Sequence, residues 1–418
     1  MKTTLLPFIL LAVLFVGCSD DGDSPNVPKE RVDIKLTAEE RQVNDQVQDF
    51  SFDFIRTFVQ KKEKEAPEIK NYAISPLSLS FALGMALNGA DGETYRQMQE
   101  VLGFKGMDNE SINLYMQTMR LALPDLDNTA TFLSANSIWM LKGWNFLSDF
   151  KQVNQTYYDA LLKADEGFDQ QTADAINEWC KEKTEGMIPK FVELDEINSL
   201  KALLLNALYF KGKWKYPFEP SETQMQVFVR KDGAPVRVPM MKMHKVLACI
   251  STDDVIIVSL PYGNGAFNMQ LLLPADQTVP IEDLLSNLTL EQWNEWKAQE
   301  KGYLVTFALP KFDIDYEDKE LHHVMSDMGI VDAFTGKADF SKMCEIALHI
   351  AWIKQRSVIH VDESGTEASV VTGVGFDIEA DMPPALKVDF NRPFAFFITE
   401  VSTNAVLFAG KIGDPVVK

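Results

Sequence analysis

From Thr366 to Glu379 the chain alternates between two sets of side chains. Thr366, Ala368, Val370, Thr372, Val374, Phe376 and Ile378 fall on one side of an extended backbone, and Glu367, Ser369, Val371, Gly373, Gly375, Asp377 and Glu379 on the other. Period-two alternation of this length, unbroken until Pro383, predicts a half-buried strand. Its surroundings predict something else. Asp362 and Glu363 before it, glycines at 365, 373 and 375 along it, and the Pro383-Pro384 exit suit an exposed loop. The segment reads as strand and loop at once.

Elsewhere the patterning is plainer. Thr37 and Glu40 form a capping box ahead of a helical stripe at Val43, Val47, Phe50, Phe54 and Phe58. Ser75 caps a helix with Pro76 in its first position. That helix, to Leu87, is apolar nearly all round, with Ser78 and Ser80 its only polar interior residues, as expected of a helix inside a core. Ile112, Tyr115, Met116 and Met119 mark another helix, and further helices are expected over 153–161 and 173–183. Thr131 to Met140 reads as a strand. Ala202 to Phe210 is apolar except for Asn206, which predicts a strand buried on both faces and a buried amide in need of a polar partner. Met225 to Leu273 is strand-rich, with turns at Asp232-Gly233 and Gly263-Asn264-Gly265. Thr289 and Gln292 cap a short helix, Tyr303–Leu309 and Phe312–Tyr316 are strands, and a long strand is expected from His349 to Val361.

Composition narrows the function. At 418 residues, 46% hydrophobic and 24% charged, this is ordinary globular material. A net charge of −21 argues against nucleic acid and anionic membrane as direct partners, both being polyanions. No GxSxG, HExxH, P-loop or GxGxxG is present, and the five histidines are scattered, so neither an enzyme nor a cofactor is expected. Met1 to Cys18 has Lys2, an apolar core from Leu5 to Val16 and then Gly17-Cys18, the form of an export signal that is removed rather than folded. The ending FVGC resembles the bacterial lipoprotein box, in which the cysteine is lipidated; a plain secretory signal is the other reading. Residues 19–36 follow as an acidic, proline-bearing tether. The remaining cysteines, Cys180, Cys249 and Cys344, form an odd and widely spaced set, expected as buried free thiols.

Several stretches together carry a family resemblance. Glu363-Ser364-Gly365-Thr366-Glu367-Ala368, the Ser-Pro-x-Ser of Ser75 to Ser78, ALLLNALYFKGKWKYPFEP at 202–220, LPKF at 309–312, FNRPFAFFITE and VLFAGKIGDP resemble serpins, in order, over about residues 38–415. The resemblance implies an α+β fold: one domain over 37–418, with a large, mainly antiparallel central sheet, additional sheets, about nine helices and an exposed reactive loop near 363–384. In that family the loop is bait for a serine protease and, once cut, enters the main sheet as an extra strand. Glu363, Gly365, Thr366, Glu367, Ala368 and Ser369 would be the hinge. Ser75, Ser78, Asn206, Trp214 and Gln355 would lie where the sheet opens; Gln355 stands where serpins often carry a histidine.

The scissile bond usually lies sixteen residues past the hinge glutamate, giving Glu379-Ala380. Counting back from the paired prolines gives Ala380-Asp381 instead. The implied partner is a serine protease held covalently by a monomeric inhibitor, with cysteine proteases a second target class. No Lys or Arg occurs between Arg356 and Lys387, which leaves a trypsin-like pocket unserved and favours elastase-like targets. Val370 and Val371 are bulkier than the family's usual small residues, so some leakage into substrate turnover is expected. The rival reading is a serpin fold whose loop does not insert and which serves as a binding or structural protein at the cell surface. The signal and its cysteine imply an outer-membrane lipoprotein of a bacterium, touching membrane through its lipid alone.

Overall fold

The computed structural model describes residues 28–165, 167–200, 202–365 and 383–416. Helix α1 (Ala38–Glu65) opens on the expected capping box, with the Glu40 N–H donating to Thr37 Oγ1 at 3.1 Å and the Thr37 N–H to Glu40 Oε2 at 2.8 Å. Strand β1 (Asn71–Ile74) leads through the cap at Ser75 into α2 (Pro76–Leu87), every residue of which is buried except Ala82. A helix without a polar face has nowhere to sit but inside the core. Then follow α3 (Gly92–Val101), α4 (Asn109–Ala122), β2 (Ala130–Leu141), α5 (Ser148–Tyr158), β3 (Leu161–Asp165), α6 (Gln170–Lys183), α7 (Leu194–Ile197) and β4 (Ala202–Gly212). The strand-rich middle is β5 (Gln224–Val229), β6 (Pro235–Ser251), β7 (Val255–Pro261) and β8 (Phe267–Pro274). Beyond it lie α8 (Ile281–Asn287), α9 (Leu290–Lys297), β9 (Lys301–Pro310), β10 (Phe312–Asp318), α10 (Leu321–Met328), β11 (Gln355–Val361), β12 (Ala385–Asp389), β13 (Phe394–Glu400) and β14 (Val406–Ile412). Ten α-helices are thus present among the described residues, and the fold is α+β as expected.

A nine-stranded sheet runs β1-β14-β13-β8-β7-β6-β9-β12, with β5 added on β6; its pairs are antiparallel except β9–β12. The main core fills the space between this sheet, α1 and α2. The other five strands stand as two pieces, a three-stranded β3-β2-β4 and a two-stranded β10-β11. Strands β4 and β11 are neighbours but share no hydrogen-bonded ladder. In β4 the burial on both faces is as expected: Leu204, Leu208 and Phe210 pack into the main core, while Leu203, Leu205 and Ala207 pack under α6 with Ile176 and Trp179.

One element is shorter than its sequence indicates. The strand expected over His349–Val361 exists only from Gln355. Its partner β10 pairs with Gln355 to Val361 and no further, so residues 349–354 border the gap between β4 and β11 with no neighbouring strand to complete a ladder. Residues 28–36, read from sequence as tether, carry no helix or strand.

Candidate functional site

At one end of the gap the chain leaves β11 and folds against the exit of β4. Asp362 Oδ1 accepts from the Ser364 N–H at 2.8 Å and the Gly365 N–H at 3.3 Å, which closes a tight turn. The Trp214 N–H donates to Ser364 O at 2.9 Å, the Trp214 indole to Asp362 O at 2.9 Å, and the Phe218 N–H to Glu363 O at 2.8 Å. Gly365 also makes an isolated antiparallel bridge with Lys213. Trp214 is buried and stacks on Tyr262 with centroids 4.5 Å apart. Only glycine suits position 365: φ is +140°, and a Cβ there would sit 2.2 Å from Gly212 O.

The Glu363 side chain is fixed from two sides. Lys311 Nζ lies 2.8 Å from Oε2 and the Thr223 hydroxyl donates to Oε1 at 2.8 Å. Burial by itself would raise the carboxyl's pKa, but Lys311 and Thr223 outweigh it and hold the group below its ordinary 4.5. A carboxyl whose pKa is depressed by folding contributes stability that is present above the ordinary value and lost as pH falls through the lowered one. The hinge is therefore expected to loosen in acid, below about pH 4.5. Hydrogen exchange of the Trp214 indole N–H, followed by NMR from pH 6 downward, should accelerate there. The same acid step should be absent in Glu363→Gln.

Midway along the gap lies a buried layer of neutral polar groups. Gln355 grips the backbone of Ser75 with both ends of its amide, Oε1 accepting from the Ser75 N–H at 2.7 Å and Nε2 donating to Ser75 O at 2.9 Å. The Ser75 hydroxyl donates to Leu407 O at 2.6 Å. The Ser78 hydroxyl donates to Asn206 Oδ1, and Asn206 Nδ2 donates to Asn136 Oδ1 at 2.7 Å. Strand β11 is thus pinned to the start of α2 through Gln355, and β4 to the same helix through Asn206. Below this layer the gap opens into a cavity of about 60 Å³. Its wall is mostly apolar, with Leu79, Leu83, Leu204, Ile350 and Ile353 among the lining.

Of the residues singled out from sequence, Ser75, Ser78, Asn206 and Gln355 meet in this layer, while Trp214, Glu363 and Gly365 meet at the turn above it. Asn206 finds its partners in Ser78 and Asn136, and Gln355 bonds to Ser75. Thr366, Glu367, Ala368, Ser369, Glu379, Ala380, Asp381 and Cys18 lie outside the described residues. Lys311, Thr223, Tyr262 and Asn136 escaped the sequence reading. Lys311 had a signal, a lone cation in the apolar LPKF step; the others had none, being ordinary residues brought close by tertiary contact. The three cysteines at 180, 249 and 344 are free and buried, and burial pushes the Cys180 and Cys249 thiols up to about 12. No cluster of His, Cys, Asp and Glu fit for a metal occurs among the described residues.

Comparison with known proteins agrees with this geometry. Residues 45–415 match the family model described as Serpin (serine protease inhibitor). Serpin B6 of Macaca fascicularis is 33% identical over 362 residues, covering 83% of this chain and 94% of that protein. A leukocyte elastase inhibitor of Bos taurus is 32% identical over 357 residues, covering 82% and 93%. Among solved structures, the thermophilic serpin tengpin in its native state superposes with a TM-score of 0.79 at 31% identity, over 92% of this chain and 97% of that one. With nearly its whole folded length matched, and with an opened sheet beneath a glycine hinge, the chain belongs to the serpin family.

Proposed function

We propose that this serpin inhibits elastase-like serine proteases as a suicide substrate, and that a lipid on Cys18 anchors it to the outer membrane of a bacterium, at the periplasmic or the exposed face. The Lys213–Gly365 bridge carries the reading, because it starts an antiparallel pairing at the head of an unfilled gap. Continued down β4, its register sets Thr366 against Gly212, Thr372 against Asn206 and Ile378 against Leu200. The Asp362–Gly365 bridge, continued down β11, sets Thr366 against Val361 and Thr372 against Gln355. The two registers agree. Residues directly opposite share a face, so an inserted strand in either register would turn the set from Thr366 to Ile378 towards α2. Both registers would also bring the Thr372 hydroxyl to the layer of Asn206 and Gln355. Phe376 and Ile378, the bulkiest of the set, would arrive at the apolar cavity.

In the chemistry, the protease serine attacks the Glu379 carbonyl, the bond to Ala380 breaks, and the new amine at Ala380 leaves with the C-terminal fragment. Glu379 remains esterified to the serine. Inserted as a strand, about fourteen residues at about 3.3 Å each span about 46 Å, enough to carry the acylated protease along the domain before water releases it. The uncut chain is a kinetic trap. Ile378 and Ala380 suit elastase-like pockets, and Glu379 suits acid-specific ones.

The test is a protease panel with mass spectrometry of the released C-terminal fragment. Elastase-like enzymes should be trapped first and glutamate-specific ones second, with a fragment beginning at Ala380 or Asp381. Rapid trapping of trypsin, or a fragment beginning outside 379–382, would overturn the assignment.

A further inference from the structure

We infer that the chain leaves its folded domain at the pole that carries the hinge, so that a lipid on Cys18 holds the reactive loop, and not the opposite pole, next to the bilayer. The inference rests on the anchored-inhibitor reading above and adds to it an orientation and a partner surface, the lipid plane itself.

Residues 28–36 are laid along the body by hydrogen bonds to separate turns. The Ile34 N–H donates to Ser402 Oγ at 2.9 Å, between β13 and β14. Arg31 Nη1 donates to Gly265 O at 3.2 Å, between β7 and β8. The Lys29 N–H donates to Asn128 Oδ1 at 2.8 Å just before β2, and Lys29 Nζ reaches Asp125 O. These seats are themselves fixed: the Ser402 hydroxyl donates to Glu400 at 2.7 Å, and Asn264, beside Gly265, donates its N–H to Asp127 Oδ2 at 2.8 Å and its Nδ2 to Leu126 O at 2.7 Å. Read outward from α1, the described strap reaches Pro28 over a cavity it shares with Lys213 and Trp214. Those are the residues that pair with Gly365 and Ser364. Exit and hinge therefore share one wall.

Tether length turns this placement into an orientation. Ten residue steps separate Pro28 from Cys18, a reach of at most about 36 Å when fully drawn out. The base of β4, with α7 beside it, lies a strand of 11 residues away from that exit, again about 36 Å. Presenting the far pole to the bilayer would need the whole tether drawn taut down the side of the domain. Any path shorter than that bound leaves the hinge pole nearer the lipid. Proteases caught by this loop would be those working within a few tens of ångströms of the membrane.

The experiment tethers the domain chemically. In a chain beginning at Cys18 the thiols of Cys180, Cys249 and Cys344 are buried, so coupling to a maleimide lipid in vesicles holding an acceptor dye is directed to Cys18. A donor dye goes on an azidophenylalanine put in place of Ser221, two residues from the Thr223 that holds Glu363, or of Asp195 in α7; both positions are exposed. Energy transfer to the bilayer should be several-fold greater from position 221. Equal transfer, or more from position 195, would overturn the orientation. Failure of anchoring is read separately: the intact gene product expressed in a diderm bacterium, compared with Cys18→Ala, shows whether Cys18 is lipidated, whatever the vesicles report.

Discussion

Cutting the loop anywhere from Phe376 to Asp381 is expected to raise the melting temperature by about 10 °C or more, where most proteins lose stability on nicking. The gap between β4 and β11 leaves strand edges unpaired, and the cavity beneath lacks the side chains that would fill it. A freed strand supplies both. Val370, Val374, Phe376 and Ile378 would each bring about 1–2 kcal/mol on burial, and the new ladder bonds about 0.5–1.5 kcal/mol apiece. The gain is on the order of 10 kcal/mol before the entropy of ordering the freed strand is subtracted. Thr366→Arg should leave cutting intact and abolish the rise, because the first inward position would have to bury a charge beside Gly212 and Val361. Calorimetry of the intact, the nicked and the nicked Thr366→Arg chains measures both effects.

Replacing Glu282 by leucine is expected to destabilise the native domain by about 3–5 kcal/mol, with no direct change at the loop. Lys411, on strand β14, is almost wholly buried, and its ammonium lies 2.8 Å from Glu282 Oε1 and 3.4 Å from Glu63 Oε1, over the ring of Tyr72 at 5.2 Å. Burial alone would raise the Glu282 pKa; the Lys411 charge and hydrogen bond reverse that and hold it low. Glu282→Leu leaves the cation with Glu63 as its main partner in a desolvated site. The loss comes from the stranded charge, so Glu282→Leu with Lys411→Met should recover most of it, whereas two independent losses would add. Urea unfolding of the two single variants and the double variant provides the cycle.

Much of this architecture is visible in the residue pattern, for identifiable reasons. The Thr37–Glu40 box, the all-round apolar α2 and the doubly buried β4 are local signals, and each appears at its expected place within a few residues. Asn206 announces a buried polar partner because an amide in an apolar run must be satisfied, though nothing local says that Asn136 and Ser78 provide it. The strand at 349–354 fails for the converse reason: its sequence favours extension, but a ladder needs a neighbour, and the neighbour is a gap. Lys311 on Glu363, Tyr262 under Trp214 and the Lys411–Glu282 pair join residues 52, 48 and 129 positions apart, distances at which neither periodicity nor spacing informs. The strap from Lys29 to Ile34 is the same case. Its composition is that of a tether, and only the turns it lies on make it part of the domain.

The most direct measurement is a denaturing gel after incubation with an elastase-like protease at equal concentration. Inhibition by loop insertion should give a covalent band at the summed mass of protease and inhibitor, stable for hours, lost in Thr366→Arg and absent with catalytically dead protease. A chain that is cut to completion with no such band, while the protease keeps its full activity, would contradict it.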